Sequence, residues 1–384
     1  MIKAEQTPEA LTESPRRLRT SSKRFWWWRI AVICTAPIAL YLLINSVLEQ
    51  RWHTLKNDNF VSSIAFTADG RKLVSAGVGL TIWNLTTRLP HAHKLPRNNA
   101  QSSADLVAIS SQPDGNDVIV SGSTSPPTIQ TRSLRDGTVQ GTTDFADGQI
   151  TSDHIITLVP LSNGNVISCK FESESRSKAG RRVFTLQLYE VVSGKSLGEL
   201  PMHQLPSGEK PEHLVDDTVR AVDITRDGKL LVWGDAGGLI RLWDMQSRNL
   251  LRTIIGTPRH REVMLNAEIT GVAFSPDGKL LAAGGENRTV RLWDTQTGQL
   301  LQTLSGGMPG TVLLNTVVAF SPDAKKLATA GQDDSIQLWE VDTGRLLNTY
   351  KEHTRTVTDL AFSPNGSILA SSSEDRTVKL WRIQ

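Results

Sequence analysis

A unit that ends in a tryptophan recurs along most of this chain and constrains its fold more than any other feature. The stretch TVRLWDTQTG, residues 289–298, has close counterparts in LIRLWDMQSR, SIQLWEVDTG and TVKLWRIQ. A second shared stretch precedes each of them, such as VAFSPDGKLLAAGG before Trp293 and VAFSPDAKKLATAG before Trp339. A repeat of this kind predicts copies of one supersecondary unit stacked side by side.

Five copies of the unit are clear, and two more are less regular. The clear copies end at Trp83, Trp243, Trp293, Trp339 and Trp381. Between Trp83 and Trp243, the stretches TIQTRSLRDG and TLQLYEVVSG place Arg132 and Tyr189 at the tryptophan position. The chain is therefore predicted to hold seven units, numbered 1 to 7 along the sequence.

The local pattern inside each unit predicts β-strands. Short apolar runs such as VAF, LLAAG and VRLW are separated by turn residues, which is typical of consecutive antiparallel strands. Asp-Gly and Asn-Gly pairs accept the positive backbone dihedrals of tight hairpins. Each unit reads as a four-stranded meander of about 48 residues, and such a sheet must stack on its neighbours around an axis. The predicted fold is all-β, a seven-bladed β-propeller in which each unit forms one blade.

Residues 52–384 resemble the WD-repeat family, most closely in units 4 to 7. The resemblance implies a hydrogen-bonded set of His, Ser or Thr, Asp and Trp within a blade. Only unit 7 keeps a nearly complete set, comprising His353, Asp375, Trp381 and either Ser371 or Ser373. The resemblance gives this set a structural role, and it implies a non-catalytic scaffold.

The repeated tryptophan is predicted to hold the blades together, because a large ring fills the wedge between radially stacked sheets. Blade anchors are predicted at Trp83, Tyr189, Trp243, Trp293 and Trp339. The sequence contains no nucleophile elbow, phosphate loop or zinc-protease helix motif, so no catalytic, cofactor-binding or metal-binding residue is predicted and the chain is expected not to be an enzyme. His91 and His93 in HAH are expected in a solvated loop.

Closure of the ring is predicted from a similarity between its two ends. The stretch KLWRIQ reads as the third strand of unit 7, whereas RWHTLKNDNFVSSIAF near the start parallels LLNTYKEHTRTVTDLAF of units 6 and 7. Residues 52–56 are therefore expected to supply the outer strand of the seventh blade. The propeller is predicted to cover residues 50–384.

The segment before the propeller is predicted to cross a membrane. Residues 30–48 contain no charge, and as a helix they would extend about 28 Å against about 30 Å of bilayer hydrocarbon. The predicted transmembrane helix covers residues 25–48, and residues 1–24 are predicted to be a disordered basic tail. Basic residues are more numerous before the span than after it, which predicts a single pass through the cell (inner) membrane with a cytoplasmic N-terminus and an extracytoplasmic propeller. A cleaved signal peptide and the reversed topology are the alternatives.

Charge gives no reason to expect a nucleic-acid partner. The chain carries a formal net charge of +3, but residues 1–29 hold seven basic and three acidic side chains, which leaves the propeller nearly neutral. The basic character therefore belongs to the tail that precedes the membrane segment.

The predicted functional surface follows from the lengths of the links between strands. Links between the first and second or the third and fourth strands of a unit are short, whereas the other links include ESESRSKAGRR, MHQLPSGEKPEHLVDD and GTPRHREVMLNAE. Variable loops on a rigid scaffold commonly form binding surfaces. The predicted function is a membrane-anchored scaffold for an unidentified protein partner, and the alternative is an extracytoplasmic propeller enzyme or small-ligand binder acting at the central channel. The partner-binding candidates are Arg176, Lys178, Arg181, Arg182, His203, Glu209, Lys210, His213, Arg259, His260, Arg261 and Glu262.

Overall fold

The regular structure of the described residues consists of β-strands. The computed structural model describes residues 54–87, 90–95, 106–111, 117–124, 127–144, 154–163, 165–174, 183–190, 195–201, 219–256, 268–285, 289–305, 317–331 and 333–383. The predicted tail and the predicted transmembrane helix lie outside these residues. Within the described ranges no helix is long and apolar enough to cross a membrane.

The strands of the described residues form seven four-stranded antiparallel sheets, numbered here in chain order. Sheet 1 contains β2 (Val61–Phe66), β3 (Lys72–Gly77), β4 (Leu80–Asn84) and β5 (His91–Lys94). Sheet 2 contains β6 (Leu106–Ser110), β7 (Val118–Thr124), β8 (Pro127–Ser133) and β9 (Val139–Asp144). Sheet 3 contains β10 (His154–Pro160), β11 (Val166–Glu174), β12 (Val183–Glu190) and β13 (Lys195–Pro201). Sheet 4 contains β14 (Val219–Ile224), β15 (Leu230–Asp235), β16 (Leu239–Asp244) and β17 (Leu250–Ile255).

The last three sheets complete the sequence of strands. Sheet 5 contains β18 (Ile269–Phe274), β19 (Leu280–Gly285), β20 (Thr289–Asp294) and β21 (Leu300–Ser305). Sheet 6 contains β22 (Val317–Phe320), β23 (Lys326–Ala330), β24 (Ile336–Glu340) and β25 (Leu346–Tyr350). Sheet 7 contains β26 (Val357–Phe362), β27 (Ile368–Ser373), β28 (Thr377–Arg382) and, as its outer strand, β1 (Thr54–Lys56).

The strand β1 joins the two ends of the described chain. Leu55 pairs with Val378 in an antiparallel register, and Thr54 pairs with Lys379. The Leu55 side chain is buried and packs in a cluster that contains residues of both sheet 7 and sheet 1. This is the position expected for the strand 52–56, of which Trp52 and His53 lie outside the described residues.

The seven sheets stack into a ring. The first strand of each sheet contacts the first strand of the next sheet, and β26 of sheet 7 contacts β2 of sheet 1. Seven buried hydrophobic clusters accompany these contacts, each containing side chains of two consecutive sheets. The core is therefore divided among the interfaces between sheets, as expected for a sheet that cannot bury both faces alone.

The links between strands lie at two opposite ends of the ring, because successive strands are antiparallel. One end, called the short-link face, carries the links between first and second and between third and fourth strands. The opposite end is called the long-link face, and β11, β13 and β17 end there. The sequences that follow these strands, residues 175–182, 202–218 and 257–267, lie outside the described residues. One link prediction was wrong, since His91–Lys94 forms the outer strand β5 rather than a loop. Proline in the sequence on either side of it, at Pro90 and Pro96, is compatible with an edge strand.

A side-chain-capped turn recurs at the short-link face. In sheet 5, the Ser275 hydroxyl donates to Asp277 at 2.6 Å and accepts from the Leu280 backbone N–H at 2.9 Å. Gly278 follows with a φ of 71°. The equivalent residue in sheet 6 is Ala324, which adopts a φ of 59° without the freedom of glycine. The SPDG pattern of the sequence thus specifies this turn, and SPDA forms the same turn with backbone strain.

Candidate functional site

Sheet 7 brings together the four residues of the predicted polar set. The His353 ring places Nδ1 2.7 Å from an Asp375 carboxylate oxygen and Nε2 2.7 Å from the Ser371 hydroxyl. The Trp381 indole N–H donates to the same hydroxyl at 2.9 Å. Ser373, the alternative serine, instead donates to a backbone carbonyl at 2.9 Å. Ser371 is therefore the residue that links histidine to tryptophan.

The electrostatics of this set favour a neutral histidine. Burial lowers the pKa of His353, and the nearby Asp375 carboxylate opposes that effect only in part. With a neutral ring, Nδ1–H donates to Asp375 and Nε2 accepts the Ser371 proton, so each group has a partner. Ser371 is fully buried. The arrangement has the residue types of a hydrolase triad, but its hydroxyl is enclosed by the fold and bonded to an indole, which is compatible with the structural role expected for this set.

The predicted anchor tryptophans lie at the interfaces between sheets. Trp83, Trp293 and Trp339 are each at most 5% exposed. The Trp83 indole donates to Ser75 at 3.0 Å, and the Trp339 indole donates to Thr329 at 3.0 Å. Sheets 1 and 6 therefore share the tryptophan–hydroxyl pair of sheet 7. The backbone of Tyr189 lies in β12, and its side chain is outside the described part of the chain.

Sheet 4 replaces the polar set with a different buried group. Trp233 occupies the position of the hydroxyl residue, and its ring stacks on Trp243 with the centroids 5.1 Å apart. Beside it, Arg241 and Asp235 form a fully buried ion pair at 2.7 Å. Both tryptophans pack in a cluster shared with sheet 3. The sequence signal was visible in LLVWGD, where a tryptophan stands in place of a serine or threonine, but sequence reasoning did not use it.

Sheet 2 has an arginine at the anchor position. Arg132 is 4% exposed and donates to the Gln130 side chain at 2.9 Å and to the Gly137 carbonyl at 3.2 Å. Burial lowers the pKa of this guanidinium. The long side chain thus fills the position through local hydrogen bonds rather than aromatic packing.

A cavity of about 720 Å³ is lined by first strands from several sheets, including β2, β6, β10, β22 and β26. Most of its lining residues are apolar, including residues of SIAF and VVAF, but polar atoms form about half of the exposed wall, and the charged Asp359 and Arg226 are among the lining residues. The Asp359 carboxylate accepts from the backbone N–H groups of Leu360 at 2.8 Å and Ile64 at 2.9 Å, and from the Ser63 hydroxyl at 3.1 Å. One acid therefore joins the first strands of sheets 7 and 1.

Asp223, which stands two positions further along its first strand than the equivalent of Asp359, forms a similar bridge between sheets 4 and 5. Its carboxylate accepts from the Ile224 N–H at 2.8 Å and from the Phe274 N–H of the next sheet at 2.7 Å. Burial raises the pKa of Asp223 to about 6, and burial likewise raises the pKa of Asp359 to about 6. Sequence reasoning missed both acids. The sequence did contain a signal for Asp359. Units 1, 4 and 5 carry a small residue at the equivalent position, so an acid there departs from the repeat.

The partner-binding candidates lie outside the described residues. They are Arg176, Lys178, Arg181, Arg182, His203, Glu209, Lys210, His213, Arg259, His260, Arg261 and Glu262. The described strands that precede them, β11, β13 and β17, end at the long-link face. In the described portion of the chain, no group of three or more His, Cys, Asp or Glu side chains is arranged to hold a metal ion.

A ring of four-stranded antiparallel sheets, held by tryptophans at the sheet interfaces, is consistent with the propeller class of repeat proteins. Residues 257–294, 298–340 and 344–382 each match the family described as WD domain, G-beta repeat. The C-terminal region therefore consists of WD40 repeats, which supports assignment of the chain to the WD-repeat family. No curated protein gave a significant match to the chain.

Proposed function

We propose that this chain is a seven-bladed WD-repeat propeller that acts as a membrane-anchored, non-catalytic scaffold for protein–protein interaction. WD40 repeats in general mediate protein–protein interaction. The observation that carries the proposal is the difference between the two ends of the ring. The short-link face has repeated, side-chain-capped turns, whereas the sequences that follow the strand ends at the long-link face are long and dissimilar, so a specific binding surface can vary there.

The membrane half of the proposal depends on residues 30–48. Their uncharged sequence supports a single pass through the cell membrane, with a cytoplasmic N-terminus and the propeller on the opposite side. Only five residues separate Leu48 from Thr54, where β1 begins at the short-link face. In this arrangement the membrane tether leaves the long-link face available to a soluble or membrane-bound protein partner.

The alternative, an enzyme or small-ligand binder acting at the channel, has one supporting observation. The central cavity is large enough for a small molecule and has Asp359 in its wall. However, both carboxylate oxygens of Asp359 accept hydrogen bonds from the protein itself. An acid held in this way serves the contact between strands, so the scaffold is the better supported function.

The scaffold function can be tested by matched charge substitutions. One variant changes Arg181 and Arg182 to Gln, and a second changes Arg259 and Arg261 to Gln. The control makes the same change at Lys229 and Lys279, which are exposed at the short-link face. After crosslinking in native membranes, the co-purified proteins are quantified by mass spectrometry. We expect at least one partner to be lost from a long-link variant and kept by the control. Retention of every partner in both long-link variants would contradict the proposed surface.

Anchoring and topology need separate measurements. We expect the full chain to stay with membranes during alkaline carbonate extraction, and its C-terminus to be cut by protease added to the outside of intact cells or spheroplasts. Release by carbonate would overturn the anchor. A membrane-bound chain whose C-terminus becomes accessible only after lysis of the membrane would instead give the reversed topology.

A further inference from the structure

The outer strands of sheets 4, 5 and 6 expose leucines at the short-link face. Leu251 is 50% exposed, Leu300 47%, Leu301 49% and Leu346 42%. Each lies at the first or second position of its strand, β17, β21 or β25. These four residues are called the leucine rim. Outer strands begin at the short-link face, so all four side chains lie toward the same end of the ring.

Two of these leucines lie at β-bulges of the outer strands. In sheet 4, Trp243 pairs with Leu250 and Leu242 pairs with Arg252, which leaves Leu251 without a partner. Sheet 5 skips Leu301 in the same way. A bulge interrupts the ladder of backbone hydrogen bonds and bends the edge strand, which disfavours pairing with a strand from another molecule. A second copy added edge to edge is therefore a poor occupant of this surface.

Hydrogen bonds between sheets hold the outer strands of the leucine rim side by side. The Arg252 side chain donates to the Gln296 carbonyl of sheet 5 at 3.1 Å. The Gln302 side chain donates to the Asp342 carbonyl of sheet 6 at 2.7 Å. Each carbonyl lies in the turn that leads into the next outer strand, just before Leu300 or Leu346. The exposed leucines of three consecutive sheets thus share one edge of the short-link face.

We propose that the leucine rim contacts the surface of the lipid bilayer. This inference rests on the proposed membrane anchor, because β1 starts at the same face only five residues after the hydrophobic segment 30–48. The exposed leucines suit the apolar layer of a phospholipid surface. Two exposed arginines that precede outer strands suit its anionic layer: Arg345, which also pairs with Glu340 at 3.4 Å, and Arg248, which also donates to the Leu197 carbonyl. The neighbouring Asp294 carboxylate is occupied by the Thr297 hydroxyl and backbone N–H. The contact would hold the short-link face against the bilayer.

Leu251 and Ile255 provide a matched pair for a test on one strand. Both are exposed aliphatic side chains of β17, and Ile255, which is 68% exposed, lies at the opposite end of the strand. A photo-crosslinking amino acid is placed at position 251 or 255 of the full chain. Each variant is then reconstituted in vesicles of phosphatidylethanolamine and phosphatidylglycerol that contain a labelled phospholipid. Position 301 provides a second probe of the rim. We expect lipid adducts at 251 and 301 and only background labelling at 255.

The outcomes separate the rim from the anchor. Carbonate extraction of the same vesicles reports whether the chain is anchored at all. A chain that resists extraction but gives equal labelling at 251 and 255 would overturn the leucine rim and leave the anchor intact. Release of the chain by carbonate would overturn both the anchor and the leucine rim. Adducts between two copies of the chain at position 251, in place of lipid adducts, would contradict the bilayer contact and show that the leucine rim is a self-association surface.

Discussion

The carboxylate of Asp359 in sheet 7 accepts a hydrogen bond from the backbone N–H of Ile64 in sheet 1, at 2.9 Å. This bond lies at the junction where the first and last sheets of the described chain meet. The strand β1 closes the same junction at the outside of the ring, where Leu55 pairs with Val378. Closure therefore has two components, a β-ladder at the outside of the ring and a hydrogen-bonded acid at the wall of the central cavity.

We predict that Asp359→Asn removes part of the pH dependence of stability. The pKa of Asp359 is raised by burial from 3.8 to about 6, so the folded state holds this proton more tightly than the unfolded state. This acid therefore stabilises the fold increasingly as the pH falls from about 7 toward 4, and that contribution is lost as the pH rises through 6. Because the side chain keeps partial exposure at the cavity, the expected change is on the order of 1 kcal/mol.

The measurement is the difference in unfolding free energy between wild type and Asp359→Asn, followed from pH 4.5 to 7.5. The difference is needed because His353 acts in the opposite direction. Its pKa is lowered by burial, so protonation of the unfolded state destabilises the fold as the pH falls below about 6.5. Asp342→Asn, at an exposed link, is the control. Parallel curves for wild type and Asp359→Asn would contradict the prediction.

Trp381→Phe is expected to cost more stability than Trp243→Phe. Both tryptophans are buried, but the Trp381 indole donates to Ser371 at 2.9 Å, whereas the Trp243 indole nitrogen has no hydrogen-bond partner in the described structure. The loss of one buried hydrogen bond is worth about 1 kcal/mol, which is the expected difference between the two variants. Urea unfolding followed by tryptophan fluorescence would measure it. Equal losses would show that the indole–hydroxyl bond contributes nothing to sheet 7.

Trp233→Ser is predicted to be strongly destabilising, although it restores a hydroxyl residue at the position of Ser75 and Ser371. Trp233 is fully buried and stacks on Trp243 at the interface with sheet 3. Replacing a buried tryptophan with a small residue leaves a cavity and typically costs about 3–5 kcal/mol. Thermal unfolding and solubility of the full chain would report the loss. A wild-type melting temperature would mean that sheet 4 can repack around the family's usual residue.

Ala324→Gly is expected to stabilise the protein by about 1 kcal/mol, because alanine is strained at a positive φ. Ala324 adopts a φ of 59° in the turn where Gly278 adopts 71°. The reciprocal change, Gly278→Ala, is the matched control and should destabilise by a similar amount. An added Cβ there meets only an ordinary contact, the Thr225 methyl group at 3.4 Å. Melting temperatures that move in the same direction for both variants would contradict this account.

Leu55→Ala should weaken closure of the ring. Leu55 is 3% exposed and packs among residues of sheets 7 and 1. Truncation of a buried leucine costs about 2–5 kcal/mol. The control is Leu251→Ala, since Leu251 is half exposed and should change stability little. Hydrogen exchange should show faster exchange of the amides in β28 for Leu55→Ala, and no local change there would argue against the clasp.

The sequence determined the strands, the turns and the all-β class. The repeat places apolar runs and Ser-Pro-Asp-Gly turns at regular intervals, and the short range of these signals makes them readable without tertiary information. The three C-terminal WD40 repeats were likewise recognisable, since each keeps its tryptophan and most of its turn residues. The choice between Ser371 and Ser373 could not be made in this way, because only the register against β28 decides which hydroxyl meets Trp381.

Only the tertiary structure decided which polar residues become buried between sheets. Asp223 and Asp359 stand in apolar strands, and Trp233 stands where other units have a hydroxyl, yet the partners of these residues come from different strands or sheets. The local sequence around each of the two acids carries no information about a neighbour about 50 or 300 positions away. Stacking of the sheets creates those contacts, and it is also what gathers the exposed leucines of three separate strands into one rim.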